Sequence, residues 1–154
     1  MSEYGKQKSG RYAFAHTRIQ EAMKAGFYLE AITITESMIT DRLLASRDHL
    51  MGEERKGRRT LGALLQKHLN DEALRVEPGG AGEGGETIFK QLDRWREERN
   101  DLLHGIAKCL PGFEDKCETT TQLMERARLQ AERGLGLFRS LDGWLRRERR
   151  LKAA

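Results

Sequence analysis

The stretch FYLEAITITESMITDRLLASRDHL, residues 27–50, decides the fold class of this chain. Apolar side chains recur in it near the helical period, at Tyr28, Ile32, Ile39, Leu43 and Leu50. Further apolar residues lie on neighbouring faces (Phe27, Ala31, Ile34 and Met38). A helix that is apolar over so wide an arc has to be covered on two sides. The stretch therefore predicts a central core helix or a helix at a dimer interface.

One acidic residue, Glu36, lies within this apolar stripe, four residues after Ile32 and three before Ile39. A carboxylate among apolar neighbours is costly unless a cation pairs with it. A position at the edge of the stripe, where the carboxylate reaches water, is the other interpretation. The sequence leaves both open.

Four more helices are expected around this segment. The polar residues 1–10 are interpreted as a disordered lead, followed by a helix over about 11–24 that Gly26 caps. Thr60 is expected to cap a third helix that reaches about residue 74, and a flexible glycine-rich loop should span 75–86. The fourth helix is expected over about 87–108 and the fifth over about 119–151. We therefore predict an all-α bundle of about five helices in one domain, residues 1–154.

The charge balance permits nucleic-acid binding without requiring it. The chain has a net charge of +4 and a pI of about 9.2. Its last basic segment is a candidate contact for a phosphate backbone and contains Arg146, Arg147, Arg149 and Arg150. The other interpretation is a solvated helix end whose cations complement the helix dipole.

Several function classes are not expected. Cys109 and Cys117 are too few for a disulfide framework or a four-thiolate zinc site, so we expect a reduced pair and neither metal nor cofactor. Residues 80–85 fit GxGxxG, but helix-like sequence precedes them instead of a strand, which favours a linker. The polar start and the lack of a long apolar run predict a cytoplasmic protein without membrane contact.

The stretch RNDLLHG, residues 99–105, is the candidate site of chemistry. The spacing of Arg99 and His104 is not distinctive by itself, because Arg11 with His16 and Arg42 with His49 are spaced similarly. In those two cases the next residue is apolar, whereas the polar Asn100 and Asp101 follow Arg99.

Arg99 also lies on an apolar stripe, four residues after Trp95 and three before Leu102, where an unpaired cation is costly. An internal acid such as Glu36 or an anionic substrate could balance it. Asn100 and His104 are four residues apart and therefore share one helix face. These features favour phosphate chemistry at this segment.

The stretch DRWREERNDLLHG, residues 93–105, resembles the signature of HEPN domains, small helical bundles in which an arginine and a polar residue precede a histidine. Residues 28–44 are similar to the long core helix of that fold. The resemblance implies a HEPN-like bundle that acts as a homodimer, with the motifs of two subunits facing each other across a cleft. It implies a metal-independent endoribonuclease of the toxin or phage-defence kind.

The resemblance also implies roles for the motif residues. His104 would act as general acid and base, Arg99 would bind the phosphate, and Asn100 would orient the imidazole or hold a phosphate oxygen. Glu36 would hold Arg99, with Asp101 as a second supporting residue. RNA is the expected substrate, and a protein antitoxin or partner enzyme is a further expected partner.

Two alternatives and one departure from the family remain. The chain could be a non-catalytic HEPN-like module that binds nucleic acid or a nucleotide. It could also be a helical dimeric adaptor in which Arg99 pairs with Glu36 and His104 lies in the core. Family toxins that are paired with a nucleotidyltransferase antitoxin carry a tyrosine where this chain has Ile106, so control by modification of that tyrosine is not expected.

Overall fold

The computed structural model describes residues 3–51, 60–70, 87–107 and 117–154. Over these ranges all regular structure is helical, in five helices: α1 (Glu3–Ala25), α2 (Tyr28–Met51), α3 (Leu61–Asn70), α4 (Ile88–Ala107) and α5 (Thr120–Ala153). The predicted all-α fold with about five helices is confirmed. The expected glycine-rich loop over 75–86 lies outside the described residues. No helix in the described ranges is both long enough and apolar enough to cross a membrane.

The turn between α1 and α2 is set by Gly26. Its φ of 78° lies in the left-handed region, which glycine adopts without steric cost. The Gly26 N–H donates to the carbonyl of Met23 at 3.4 Å, and the Phe27 N–H donates to that of Ala22 at 2.8 Å. This pair of bonds is a Schellman motif. The predicted cap is confirmed, and the chain reverses directly into α2.

Threonine side chains begin three of the other helices, including α4, where the Thr87 hydroxyl accepts a hydrogen bond from the Lys90 N–H at 3.3 Å. The Thr60 hydroxyl accepts a hydrogen bond from the Ala63 N–H at 3.3 Å, as predicted for the start of α3. Thr119 forms a capping box with Gln122 at the start of α5. Each cap satisfies backbone donors that the first turn of a helix leaves open.

The prediction of a disordered lead over residues 1–10 is wrong for residues 3–10, which form the first turns of α1. Lys8 Nζ lies 2.8 Å from Asp41 Oδ2, and the Tyr12 hydroxyl donates to the same oxygen at 2.5 Å. These contacts dock the polar beginning of α1 on α2. Tertiary contacts of this kind stabilise helices whose composition alone does not.

Within one chain, α2 is the central helix and packs against α1, α3 and α5. Helices α1 and α2 are antiparallel, because Tyr12 contacts Asp41 whereas Arg18, further along α1, contacts Glu30. The prediction of a core helix for residues 27–50 is therefore confirmed within one chain.

Helix α4 runs antiparallel to α5 and is joined to it by Trp95. The Trp95 indole N–H donates to the carbonyl of Gln130 at 2.9 Å, and the Gln130 amide donates to the carbonyl of Trp95 at 2.5 Å. At the start of α4, the Phe89 ring packs edge to face on the Trp144 ring, with centroids 5.4 Å apart. Both contacts are buried, so they determine where α4 lies on the bundle.

The Trp95 indole packs so closely on α5 that the helix has a glycine, Gly134, at the point of contact. A Cβ built on Gly134 would lie 2.7 Å from Cζ2 of Trp95, closer than real Cβ contacts, so the indole packs on bare backbone. Gly136 differs, because it is exposed and a Cβ there would have no atom within 4 Å.

Replacing Gly134 with alanine should therefore destabilise the fold by about 1–3 kcal/mol, because the fully buried Trp95 has no room to move. Gly136→Ala is the matched control in the same helix. It should stabilise the protein by up to about 1 kcal/mol through helix propensity. Urea unfolding of both variants measures the two changes, and a Gly134→Ala protein as stable as Gly136→Ala would contradict the close packing.

Candidate functional site

Arg99 and Glu36 meet between α4 and α2. Arg99 Nη2 donates to Glu36 Oε1 at 2.6 Å, and the two side chains are 15% and 25% exposed. Glu36, on the apolar stripe of α2, and Arg99, on the apolar stripe of α4, thus balance each other's charge. Because both groups are largely withdrawn from water, the pair is screened less than a surface pair.

The guanidinium of Arg99 is not saturated by Glu36. Its Nε is shielded from solvent and has no hydrogen-bond partner in the described part of the chain. An arginine has five N–H donors, and the Glu36 contact uses one of them. The remaining donors give Arg99 the capacity to bind an oxyanion while Glu36 holds the side chain in place.

His104 is exposed, whereas Asn100 is half-buried between Arg99 and His104 along α4. Five residues of helix place His104 about 140° around the axis from Arg99 and about 7.5 Å further along it. Asn100 and His104 share a face, as expected from their spacing. Within a single chain, Arg99 therefore faces α2 while His104 faces away from it, and the helix does not bring the two side chains together.

The adaptor hypothesis placed His104 in the core, and this is wrong, because the side chain is exposed. Among the histidines whose side chains the structure describes, His68 is the buried one, at 1% exposure. Asp101 is also exposed and lies on the solvent side of α4.

Exposed apolar side chains lie beside the ion pair. Leu103 is 41% and Ile106 is 46% exposed. Helical spacing places them about 40° and about 20° from Arg99, on opposite sides of it. On α2, Leu29 lies two turns before Glu36 and is also exposed. Clustered apolar exposure of this kind is typical of a surface that contacts a partner.

The basic segment of α5 is remote from Arg99. Glu98, next to Arg99, pairs with Arg133 on α5 at 2.5 Å, and Arg146 lies thirteen residues beyond Arg133, which is about 20 Å of helix. Arg147 and Arg150 are exposed, and Arg149 is half-buried. Arg146 Nε lies 2.9 Å from Asp142 Oδ2. The structure thus does not bring these arginines to the candidate active site.

A buried serine and a buried histidine form a contact that was not predicted from the sequence. Ser46 Oγ lies 3.1 Å from His68 Nε2, and His68 Nδ1 lies 2.8 Å from the carbonyl of Leu64. The pair has the atom order of a nucleophile and its base. Both residues are at most 1% exposed, so no substrate reaches them and their contact stabilises the core. The signal in the sequence was a histidine on the apolar stripe of α3.

The cysteine prediction needs a correction. A reduced pair was expected, but Cys117 is disulfide-bonded. Cys109, the other cysteine of the chain, lies outside the described residues. Across the described ranges, no group of three or more His, Cys, Asp or Glu side chains is arranged to hold a metal ion.

Comparison of the chain with protein-family models, curated proteins and solved structures gives no significant match. The candidate site is therefore interpreted from its own geometry.

Removing the charge of Glu36 should destabilise the protein. Glu36→Gln keeps the shape of the side chain but leaves Arg99 without its counter-ion, and we expect a loss of about 1–3 kcal/mol in the free energy of unfolding. Urea unfolding at constant ionic strength measures the loss.

The matched control for this prediction is Glu132→Gln, which breaks an exposed pair with Arg128 on α5. Exposed pairs contribute little, so this variant should unfold like the wild type within error. Equal effects of the two substitutions would show that the Arg99–Glu36 pair is no more than a surface contact.

Proposed function

We propose that this chain is a HEPN-like, metal-independent endoribonuclease of the toxin or phage-defence type that acts as a homodimer. The observation that carries the proposal is the withdrawn Arg99, held by Glu36 at 2.6 Å, with Asn100 and the exposed His104 on the following turn. The motif thus combines an oriented cation, an amide and an accessible imidazole.

These groups match the demands of RNA cleavage by an internal nucleophile. His104 takes the proton from a 2′-hydroxyl, whose oxygen then bonds to the adjacent phosphorus while the bond to the 5′-oxygen breaks. Arg99 stabilises the negative charge that develops on the phosphate oxygens. Protonation of the 5′-oxygen completes the step and leaves a 2′,3′-cyclic phosphate and a 5′-hydroxyl. DNA lacks the attacking group, so it is not a substrate.

A second copy of the chain is part of the proposal for a geometric reason. Arg99 and His104 of one copy point about 140° apart, so they do not converge on one phosphate. In a two-fold dimer, Arg99 of one copy can face His104 of the other across the interface. The exposed Leu103 and Ile106 follow Arg99 on α4, and the exposed Leu29 precedes Glu36 on α2, so they offer the apolar surface that such a contact buries.

The second candidate function is non-catalytic. A HEPN-like module that binds nucleic acid or a nucleotide, or a dimeric adaptor, would use the Arg99–Glu36 pair as a structural or anion-binding element. This alternative is favoured by the fact that Glu36 already balances the charge of Arg99. A cytoplasmic location and a protein antitoxin or partner enzyme belong to the proposal in either case.

The first test is cleavage of RNA in the presence of EDTA. The wild type should cleave RNA and leave cyclic-phosphate ends, and it should not cleave DNA of the same sequence. His104→Ala should lower the rate by about 10²–10⁴-fold and Arg99→Ala by about 10²–10³-fold, because these are the usual contributions of a general base and of one charged donor.

Arg94→Ala is the matched control, because Arg94 is an exposed arginine of the same helix, five residues before Arg99, that has no role in the proposed reaction. It should cleave like the wild type, and circular dichroism should show that every variant is folded. RNA that is bound but not cut by the wild type, with binding weakened in Arg99→Ala, would support the non-catalytic module instead.

The shared site is tested by mixing two inactive variants. If one copy supplies Arg99 and the other His104, a heterodimer of Arg99→Ala and His104→Ala contains one intact site. Random exchange of subunits should then restore roughly a quarter of the wild-type rate, because half of the dimers are mixed and each mixed dimer has one of two sites intact. A mixture as inactive as its components, with exchange verified by mass spectrometry, would refute the shared site.

A further inference from the structure

A second cluster of charged residues lies on another side of the bundle, where α1, α2 and α5 meet. The cleft there has a volume of about 400 Å³ and is lined by Lys8, Tyr12, His16, Arg42, Asp142 and Arg146, among others. We call it the α1–α5 cleft. A smaller hollow of about 280 Å³ shares Lys8 and Tyr12 with it and adds Arg11 and Asp41. Pockets of this size hold small organic ligands.

Cations outnumber carboxylates in this region. Lys8, Arg11, Arg42 and Arg146 stand against Asp41 and Asp142. Burial and the hydrogen bond to Asp41 raise the pKa of Tyr12 well above its ordinary value, so its phenol stays neutral. The excess of two positive charges balances the charge of about −1.5 to −2 that a phosphate monoester carries near neutral pH.

The carboxylate of Asp142 holds two of these arginines, Arg42 and Arg146, in place. Asp142 Oδ1 lies 2.8 Å from Arg42 Nη2, and Asp142 Oδ2 lies 2.9 Å from Arg146 Nε. One acid thus connects α2 and α5 and brings two guanidinium groups together. A pre-organised guanidinium loses less entropy when it binds a ligand.

Both arginines retain unused donors. Arg42 Nε is buried and has no hydrogen-bond partner in the described part of the chain. The Arg146 side chain is 67% exposed, and its Nη groups are not part of its contact with Asp142, which is made through Nε. The two Nη groups of one guanidinium, such as that of Arg146, can bind two oxygens of one phosphate.

Aromatic side chains also line the cleft, next to the cations. The Phe138 ring meets His16 edge to face at 5.6 Å and stacks on Tyr12 at 6.2 Å. The Arg42 guanidinium lies 4.4 Å from the centre of the Tyr12 ring. The cleft therefore combines cations with aromatic side chains, which suits a ligand with an anionic group on an organic body.

We propose that the α1–α5 cleft binds an organic phosphate monoester of about the size of a mononucleotide. Lys8, Arg42 and Arg146 hold the phosphate, and the organic part lies against His16 and Phe138. This site is independent of the candidate active site.

The position of the cleft favours a separate small ligand over the RNA strand at Arg99. Arg42 follows Glu36 by six residues, which turns its side chain about 120° around α2. The cleft and the Arg99–Glu36 pair therefore open on different sides of the bundle. A strand held at Arg99 would have to wrap around α2 or α5 to reach Arg146.

Calorimetric titration of the full chain with adenosine 5′-monophosphate tests the proposal. The wild type should bind one molecule per chain, inorganic phosphate should bind more weakly, and adenosine should not bind. The double variant Lys8→Ala/Arg146→Ala should raise Kd at least about tenfold, because two charge-assisted contacts are lost. Arg139→Ala, which removes an exposed arginine of α5 that does not line the cleft, should change Kd less than about twofold.

The outcomes separate the proposal from its rivals. No binding of the monophosphate, equal binding of adenosine, or an affinity unchanged in the double variant would each overturn it. A short DNA strand with hydroxyl ends serves as a probe that an RNase does not cut. If this strand binds through Lys8 and Arg146 and the monophosphate does not, the cleft contacts a nucleic-acid backbone instead. None of these readouts depends on RNA cleavage, so they fail or succeed separately from the proposed activity.

Discussion

The packing of the Trp95 indole on the backbone of Gly134 is the contact that positions the candidate active site. The indole has no space beneath it for a Cβ, and two hydrogen bonds join Trp95 and Gln130 in opposite directions. Together they determine the height and rotation of α4 on α5. One turn later along the same helix comes Arg99, so the rotation that buries Trp95 also turns Arg99 inward, towards α2.

The rotation of α4 also determines the directions in which Arg99 and His104 point. A cation directed into the bundle needs an acid there, and α2 supplies Glu36 from the middle of its apolar stripe. His104 is then turned outward by helix geometry alone, because the two residues are five positions apart. A helix that must bury Trp95 cannot present Arg99 and His104 on one face. This separation of the two side chains is the reason why the proposed function includes a second subunit.

Charge pairing serves a different purpose on the other side of the bundle. Asp41 receives Lys8 and Tyr12 from α1, and Asp142 receives Arg42 from α2 and Arg146 from its own helix. These contacts hold three helices together and explain why the polar beginning of α1 is helical. They also gather more cations than the two carboxylates neutralise. The excess positive charge of the α1–α5 cleft therefore results from the same ion pairs that hold the three helices together.

The sequence by itself determined the helical class, the wide apolar arc of residues 27–50 and the caps at Gly26 and Thr60. These features depend on local signals: the period of the apolar residues and the hydrogen bonds of a helix's own first or last turn. The tertiary structure decided whether Glu36 met water or Arg99, which histidine was buried, and how far α1 extended towards the N-terminus. Each of these depends on a partner far away in the chain, such as Glu36 for Arg99 or Asp41 for Lys8. A single sequence records no such pairing, because a charge on an apolar stripe shows that it needs a partner without showing which residue the packing brings to it.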